Sequence, residues 1–162
     1  MKNLGKVLIV IVILGAILFG IYSILPEFSH NILRSMYQAK FDDEAKVKIK
    51  ATQELTNPNL KQNYKTILES HTDTKGWVYD KSEDGSTETV TFYGNKVSLI
   101  LKEIPDHEDM LYDGTTVKVT FVTDAEENIT VNVYLGNSST PVDDVVRPYV
   151  FAQLLNGSTT DE

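Results

Sequence analysis

The chain has 162 residues, a formal net charge of −8 and no cysteine. Lacking thiols, it has no disulfide framework, no thiolate nucleophile and no cysteine-ligated zinc centre. Its acidic excess repels phosphate backbones, so nucleic acid is not among the expected partners.

Taken in chain order, residues 1–6 carry Lys2 and Lys6, and residues 7–25 hold no charge. As a helix, such a stretch would span about 28 Å, close to the thickness of a bilayer core. It is longer than the apolar core of a signal peptide, and no A-x-A cleavage site follows it. The expectation is an uncleaved transmembrane anchor in the plasma membrane, with residues 1–6 cytoplasmic and the remainder extracytoplasmic. Ala16 and Gly20 form a small-xxx-small pair through which two spans could dimerise. Beyond the lysines at positions 2 and 6, thirteen basic residues face twenty-three acids, a net charge of −10.

Residues 26–44 read as an amphipathic stalk helix and a hinge. Phe28, Ile32, Leu33, Met36 and Tyr37 recur at helical spacing, and Asp42-Asp43-Glu44 marks the joint. This helix either rests on a bilayer or a partner, or packs on the chain's own sheet. Residues 45–157 read as a single α+β domain, and residues 158–162 as a disordered tail. Ala45 to Ala51 alternate strictly, which predicts a strand with Val47, Ile49 and Ala51 inward. Lys46, Lys48 and Lys50 would then face water, meeting an acidic partner or guarding an edge.

Asn57-Pro58 predicts a helix start, running to about Ser70. Strands follow at Trp77–Asp80 and Thr87–Tyr93. Gly94-Asn95 predicts a tight hairpin into Lys96–Glu103, and Asp113-Gly114 another turn. Val117, Val119 and Phe121 alternate with polar residues, as do Ile129, Val131, Val133 and Leu135, which predicts a second hairpin. Thr140-Pro141 predicts the start of a C-terminal helix with a kink at Pro148 and a stop at Asn156-Gly157. The predicted fold class is therefore α+β: transmembrane helix and stalk, then strand, helix, antiparallel meander and a closing C-terminal helix.

The residues Val47 and Ile49, a helix, Trp77 and Tyr79, then Val90, Phe92 and Gly94 with a long hairpin resemble small membrane-anchored domains of Gram-positive bacteria. That resemblance spans roughly residues 46–155. It implies an envelope setting but carries over no functional residue. Type IV pilins also place an apolar helix before a sheet. Processing after Gly5 would put Val10 at the position where pilins carry a glutamate.

No chemical motif stands out. His30, His71 and His107 lie outside any nucleophile–base context. Asp106-His107-Glu108-Asp109 offers metal ligands, but consecutive loop residues rarely converge on one ion. Asp80 to Glu88 resembles the first half of a calcium loop, but Thr91 stands where the twelfth-position glutamate belongs. Acid pairs suited to glycoside hydrolysis depend on spatial separation, which sequence does not supply. Neither a metal nor a cofactor is assigned.

The expected function is a non-catalytic interaction module of a cell-envelope assembly. Its candidate binding residues are Thr89, Thr91, Tyr93, Thr130 and Tyr134 on the sheet, with Lys46, Lys48 and Lys50. The alternatives are a ligand- or calcium-sensing domain and a carboxylate hydrolase.

Overall fold

The computed structural model describes residues 25–157 together with Ile11, Val12 and Gly15. From residue 26 on, helices α1 (Glu27–Phe41) and α2 (Asp43–Glu54) are followed by a short α3 (Tyr64–Glu69). Four strands follow, β1 (Thr74–Lys81), β2 (Glu88–Leu101), β3 (Met110–Thr123) and β4 (Ile129–Leu135), and α4 (Arg147–Asn156) closes the chain. The strands form one antiparallel sheet in the order β1-β2-β3-β4. The α+β class and the meander therefore agree with expectation.

Among the described residues no helix is long and apolar enough to cross a membrane. The transmembrane anchor is corrected on that finding. With it go the single-pass membrane topology, the plasma-membrane placement with an extracytoplasmic domain, and the pairing of spans through Ala16 and Gly20. Apart from Ile11, Val12, Gly15 and Leu25, residues 7–25 lie outside the described residues, as do 158–162.

The strand expected at Ala45–Ala51 is helix α2. Asp42 caps it, its side chain accepting from Ala45 N at 2.9 Å, and Asp43 and Glu44 sit in the positive first turn. Ala45 and Ile49, four residues apart, are buried, while Val47 is 67% exposed. Capping and the helix preference of Ala, Lys, Glu and Gln override an apparent period of two. The next helix begins six residues later than expected, at Tyr64. Asn57 instead folds a local turn, accepting from Asn59 N and Leu60 N, and Asn63 caps α3 at Thr66 N.

Neither expected turn at 94–95 or 113–114 exists, because β2 and β3 run through both. They pair from Glu88↔Thr123 to Gly94↔Val117, and again from Leu99↔Tyr112 to Leu101↔Met110, with irregularities on either side of Val97↔Thr115. An extra residue on β2 at Asn95-Lys96 is answered by one on β3 at Asp113-Gly114, so the register is restored. Each bulge uses a left-handed residue, Lys96 at φ 56° and Gly114 at φ 58°. Gly94 is there for close approach: a Cβ would lie 2.7 Å from Thr72 Cγ2 and 2.8 Å from Phe92.

One face of the sheet carries the core. Trp77, Phe92, Val119 and Val133 form one row, Tyr79, Val90, Phe121 and Val131 the next. Ala45 and Ile49 of α2, Ile67 and Leu68 of α3, and Val150, Phe151 and Leu154 of α4 join the same core. Tyr64 meets Phe121 edge-on at 4.8 Å and Phe151 at 5.5 Å, tying α3 to both the sheet and α4.

The β1–β2 turn is built by Asp84, whose Oδ1 accepts from Ser82 Oγ, Ser86 N and Ser86 Oγ. Those bonds hold its carboxyl down at about 2 against an ordinary 3.8. Beside the turn, Lys48 lies 2.5 Å from Glu88 and holds that carboxyl below its usual range. Both groups are ionised more readily in the fold, so their contributions are complete above about pH 4.5. They are lost as pH falls through the lowered values. Titration from pH 5 to 2 is expected to shift the Ser86 and Thr87 amide resonances, and Asp84→Asn to abolish that shift.

Candidate functional site

Unpaired strand edges invite association, and here three of them are covered. Strand β1 is covered by α1, whose polar side faces the sheet. Gln38, 6% exposed, clamps one residue: its Oε1 accepts from Tyr79 N and its Nε2 donates to Tyr79 O, both at 2.8 Å. Ser35 Oγ accepts from Trp77 N at 2.8 Å, and Arg34 donates to Tyr79 O and to Asp80. At the other edge the chain doubles back beside β4. Val142 N donates to Val133 O and Arg147 Nη1 to Val131 O, both at 2.7 Å. Where β2 outruns β1, Gln153 of α4 repeats the clamp on Ile100 N and O.

That arrangement turns α1 inside out. With Arg34, Ser35 and Gln38 against β1, the opposite side carries Leu33, Met36, Tyr37 and Phe41. Their exposures are 45%, 65%, 62% and 63%. The positions follow i, i+3, i+4 and i+8, so they form a single stripe. Tyr37 and Phe41 touch at 5.4 Å between ring centroids, and Lys40 Nζ lies 5.2 Å from the Phe41 ring. Solvent-facing helix sides normally carry charge; this one carries one lysine among four large apolar groups. The stalk positions Leu33 and Met36 were legible as apolar, but which side would face the sheet was not.

The second surface is the sheet face opposite the core. Cross-strand pairing aligns Gly76, Tyr93, Lys118 and Tyr134 in one row, then Val78, Thr91, Thr120 and Asn132, then Asp80, Thr89, Val122 and Thr130. The five sheet residues named from sequence thus share a face. Thr91 is buried at 5%, which removes it from direct contact with a ligand. Tyr93, Thr89 and Tyr134 are half-buried and Thr130 is exposed. Tyr93 and Tyr134 line a cleft of about 540 Å³ with Pro26, Glu27, Phe28 and Lys118. Lys118 Nζ sits 4.3 Å from the Tyr134 ring centroid, a cation–π contact. Burial, then Glu27 and Asp80, raises the Tyr93 hydroxyl above its ordinary pKa, which keeps it a neutral donor.

The lysines do not join this face. On α2, Lys46 pairs with Asp43 at 2.7 Å, Lys48 with Glu88 and Lys50 with Glu54 at 3.9 Å. Since they lie on a helix, Lys48 points away from the other two, and no strand of three parallel lysines exists.

The remaining chemical candidates are engaged in structure. Asp84, the fifth position of the calcium-like stretch, organises its own turn, and among the described residues no three metal-capable groups converge. Glu44 and Glu88 approach each other around Lys81, at 3.6 and 3.7 Å from its Nζ. Tyr79 Oη donates to Glu44 at 3.1 Å, and burial keeps that phenol protonated. Glu88, held below its usual range by Lys48, is not a proton donor near neutrality. His71 Nδ1 contacts Leu154 O at 3.2 Å, and His107 Nδ1 contacts Pro105 O at 2.8 Å.

No family model, curated protein or solved structure matches this chain.

Proposed function

We propose that this chain is a non-catalytic protein-interaction module that docks its partner on the outward side of α1. The observation that carries the reading is the inverted helix. Its hydrophilic side is consumed by hydrogen bonds to β1, and Leu33, Met36, Tyr37 and Phe41 face solvent. Burying such a stripe against a complementary surface yields roughly 25 cal/mol per Å² before association costs are met. Aromatic residues and methionine are enriched at the centres of such interfaces, and a polar rim surrounds them. Here Lys40 lies within the stripe, over the Phe41 ring, and Asp43 follows just past its end.

Met36→Glu is expected to leave the melting temperature within the small range of surface substitutions, since Met36 is 65% exposed. It is also expected to abolish whichever specific complex the full chain forms in its own cells. Quantitative cross-linking of wild type and variant is the check. A complex retained in full by Met36→Glu would remove α1 as the docking side.

A second reading is supported by the tyrosine cleft, whose volume suits a small ligand. Under that reading Tyr134→Ala abolishes ligand binding and Met36→Glu does not, so the two surfaces are separable by substitution.

A further inference from the structure

We propose that the outer edge of β3 between Met110 and Thr115 is a strand-addition site for a basic, extended segment of a partner protein. This goes beyond the helix-docking role of α1 and uses a different surface.

Strand β4 pairs with β3 only from Thr123↔Ile129 to Val117↔Leu135. At Gly136, φ 60°, the chain leaves the line of β4, with Gly136 N bonded to Thr116 O, and returns along its outer side. Strand β3 continues past that point to Met110, and the lane beside it is vacated. The hydrogen-bond parity fixes what faces the lane. Gln153 takes both N–H and C=O of Ile100, so those groups point away from β3. The Ile100↔Leu111 pair is then the non-hydrogen-bonded kind, and Leu111 turns its own N–H and C=O outward. Among the described residues no side chain or loop bonds them. Every other long edge in this sheet carries such a clamp. The Leu111 side chain is 73% exposed beside it.

Charge identifies the occupant. The hairpin end holds Glu103, Asp106, Glu108, Asp109 and Asp113, all exposed, against one base, Lys102. Asp109 Oδ1 accepts from Glu103 N and Asp113 Oδ1 from Ser98 Oγ, which holds two of these carboxylates in place at the hairpin end. A second copy of this chain would bring like charges together. An extended segment with alternating lysines would place main-chain groups on Leu111 and ammonium groups on the acids. The lane holds about six residues at the rise of a strand.

The test uses the full chain, isotopically labelled, with a capped synthetic peptide Lys-Val-Lys-Val-Lys-Val and the matching Glu-Val peptide as probes. The expected result is that the Lys-Val probe shifts the Leu111 and Asp113 amide resonances most and binds more weakly as salt is raised. The Glu-Val probe is expected to leave them unmoved. Leu111→Pro removes the outward N–H without touching a ladder bond and is expected to abolish binding. Glu108→Gln with Asp113→Asn keeps the Ser98 bond, removes two charges and is expected to weaken binding by about fivefold. This double variant stands as the check if Leu111→Pro does not fold. Shifts centred elsewhere, equal binding of the Glu-Val probe, no shift at millimolar Lys-Val probe, or pairing of the chain with itself at Leu111 would overturn the proposal.

Discussion

Phe121→Ala is expected to destabilise the fold by about 3–5 kcal/mol, the range for truncating a fully buried aromatic ring. Phe121 is 2% exposed and sits in the middle of β3, where three elements meet. Its ring contacts Tyr64 of α3 at 4.8 Å and stacks with Trp77 of β1 at 6.1 Å. Val90 and Val131 flank it in the cross-strand row. The helix layer and the sheet cannot both close over the vacated volume, so part of the cavity persists. Small domains have only about 5–15 kcal/mol in total, so one substitution removes a large share. Urea denaturation followed by Trp77 fluorescence should show a lower midpoint with an unchanged slope. A loss below 1 kcal/mol would mean that α3 does not rest on β3.

Gln38→Met is expected to cost about 2–3 kcal/mol although side-chain volume is nearly preserved. Both bonds to Tyr79 disappear, and they lie where water does not replace them. Tyr79 O keeps the Arg34 guanidinium at 3.1 Å, whereas Tyr79 N loses its partner altogether. Gln38→Glu should behave similarly, because a carboxylate accepts from Tyr79 N but repels Tyr79 O. Gln153→Met removes the matching clamp at Ile100, which is only part-buried, and is expected to cost less. Equal losses at the two glutamines would show that burial does not set the difference.

These glutamines also explain what the sequence made legible and what it left dark. Alternation over Val117–Phe121 and Ile129–Leu135 located β3 and β4, because one face of each is buried and the other is not. The tyrosines of the outer face follow from the same period of two. The failures are equally specific. Ala45–Ala51 alternates, yet Asp42 and the acids after it cap a helix, a signal that requires weighing position against pattern. Gly94-Asn95 and Asp113-Gly114 carry turn chemistry, but the fold uses it for two opposed bulges in continuous strands. A left-handed residue serves a bulge as readily as a turn. Pro148 sits in the first turn of α4 and does not kink it, because Val142 bonds the edge of β4 and the chain turns at Asp143 before the helix starts at Arg147. The orientation of α1 was not legible at all. Hydrophobic periodicity placed Leu33 and Met36 on one side, and only the bonds made by Ser35 and Gln38 turn that side outward.

The docking role of α1 depends on that orientation, and the absence of cysteine makes it measurable at single residues. Met36→Cys and Ser35→Cys, each introduced alone into the full chain, place one thiol on either side of α1. Under native conditions the predicted result is rapid maleimide modification of the Met36→Cys variant and slow modification of the Ser35→Cys variant, with equal rates in denaturant. Rapid labelling at position 35 with protection at position 36 would contradict it, because α1 would then bury its apolar stripe and show its polar side to water.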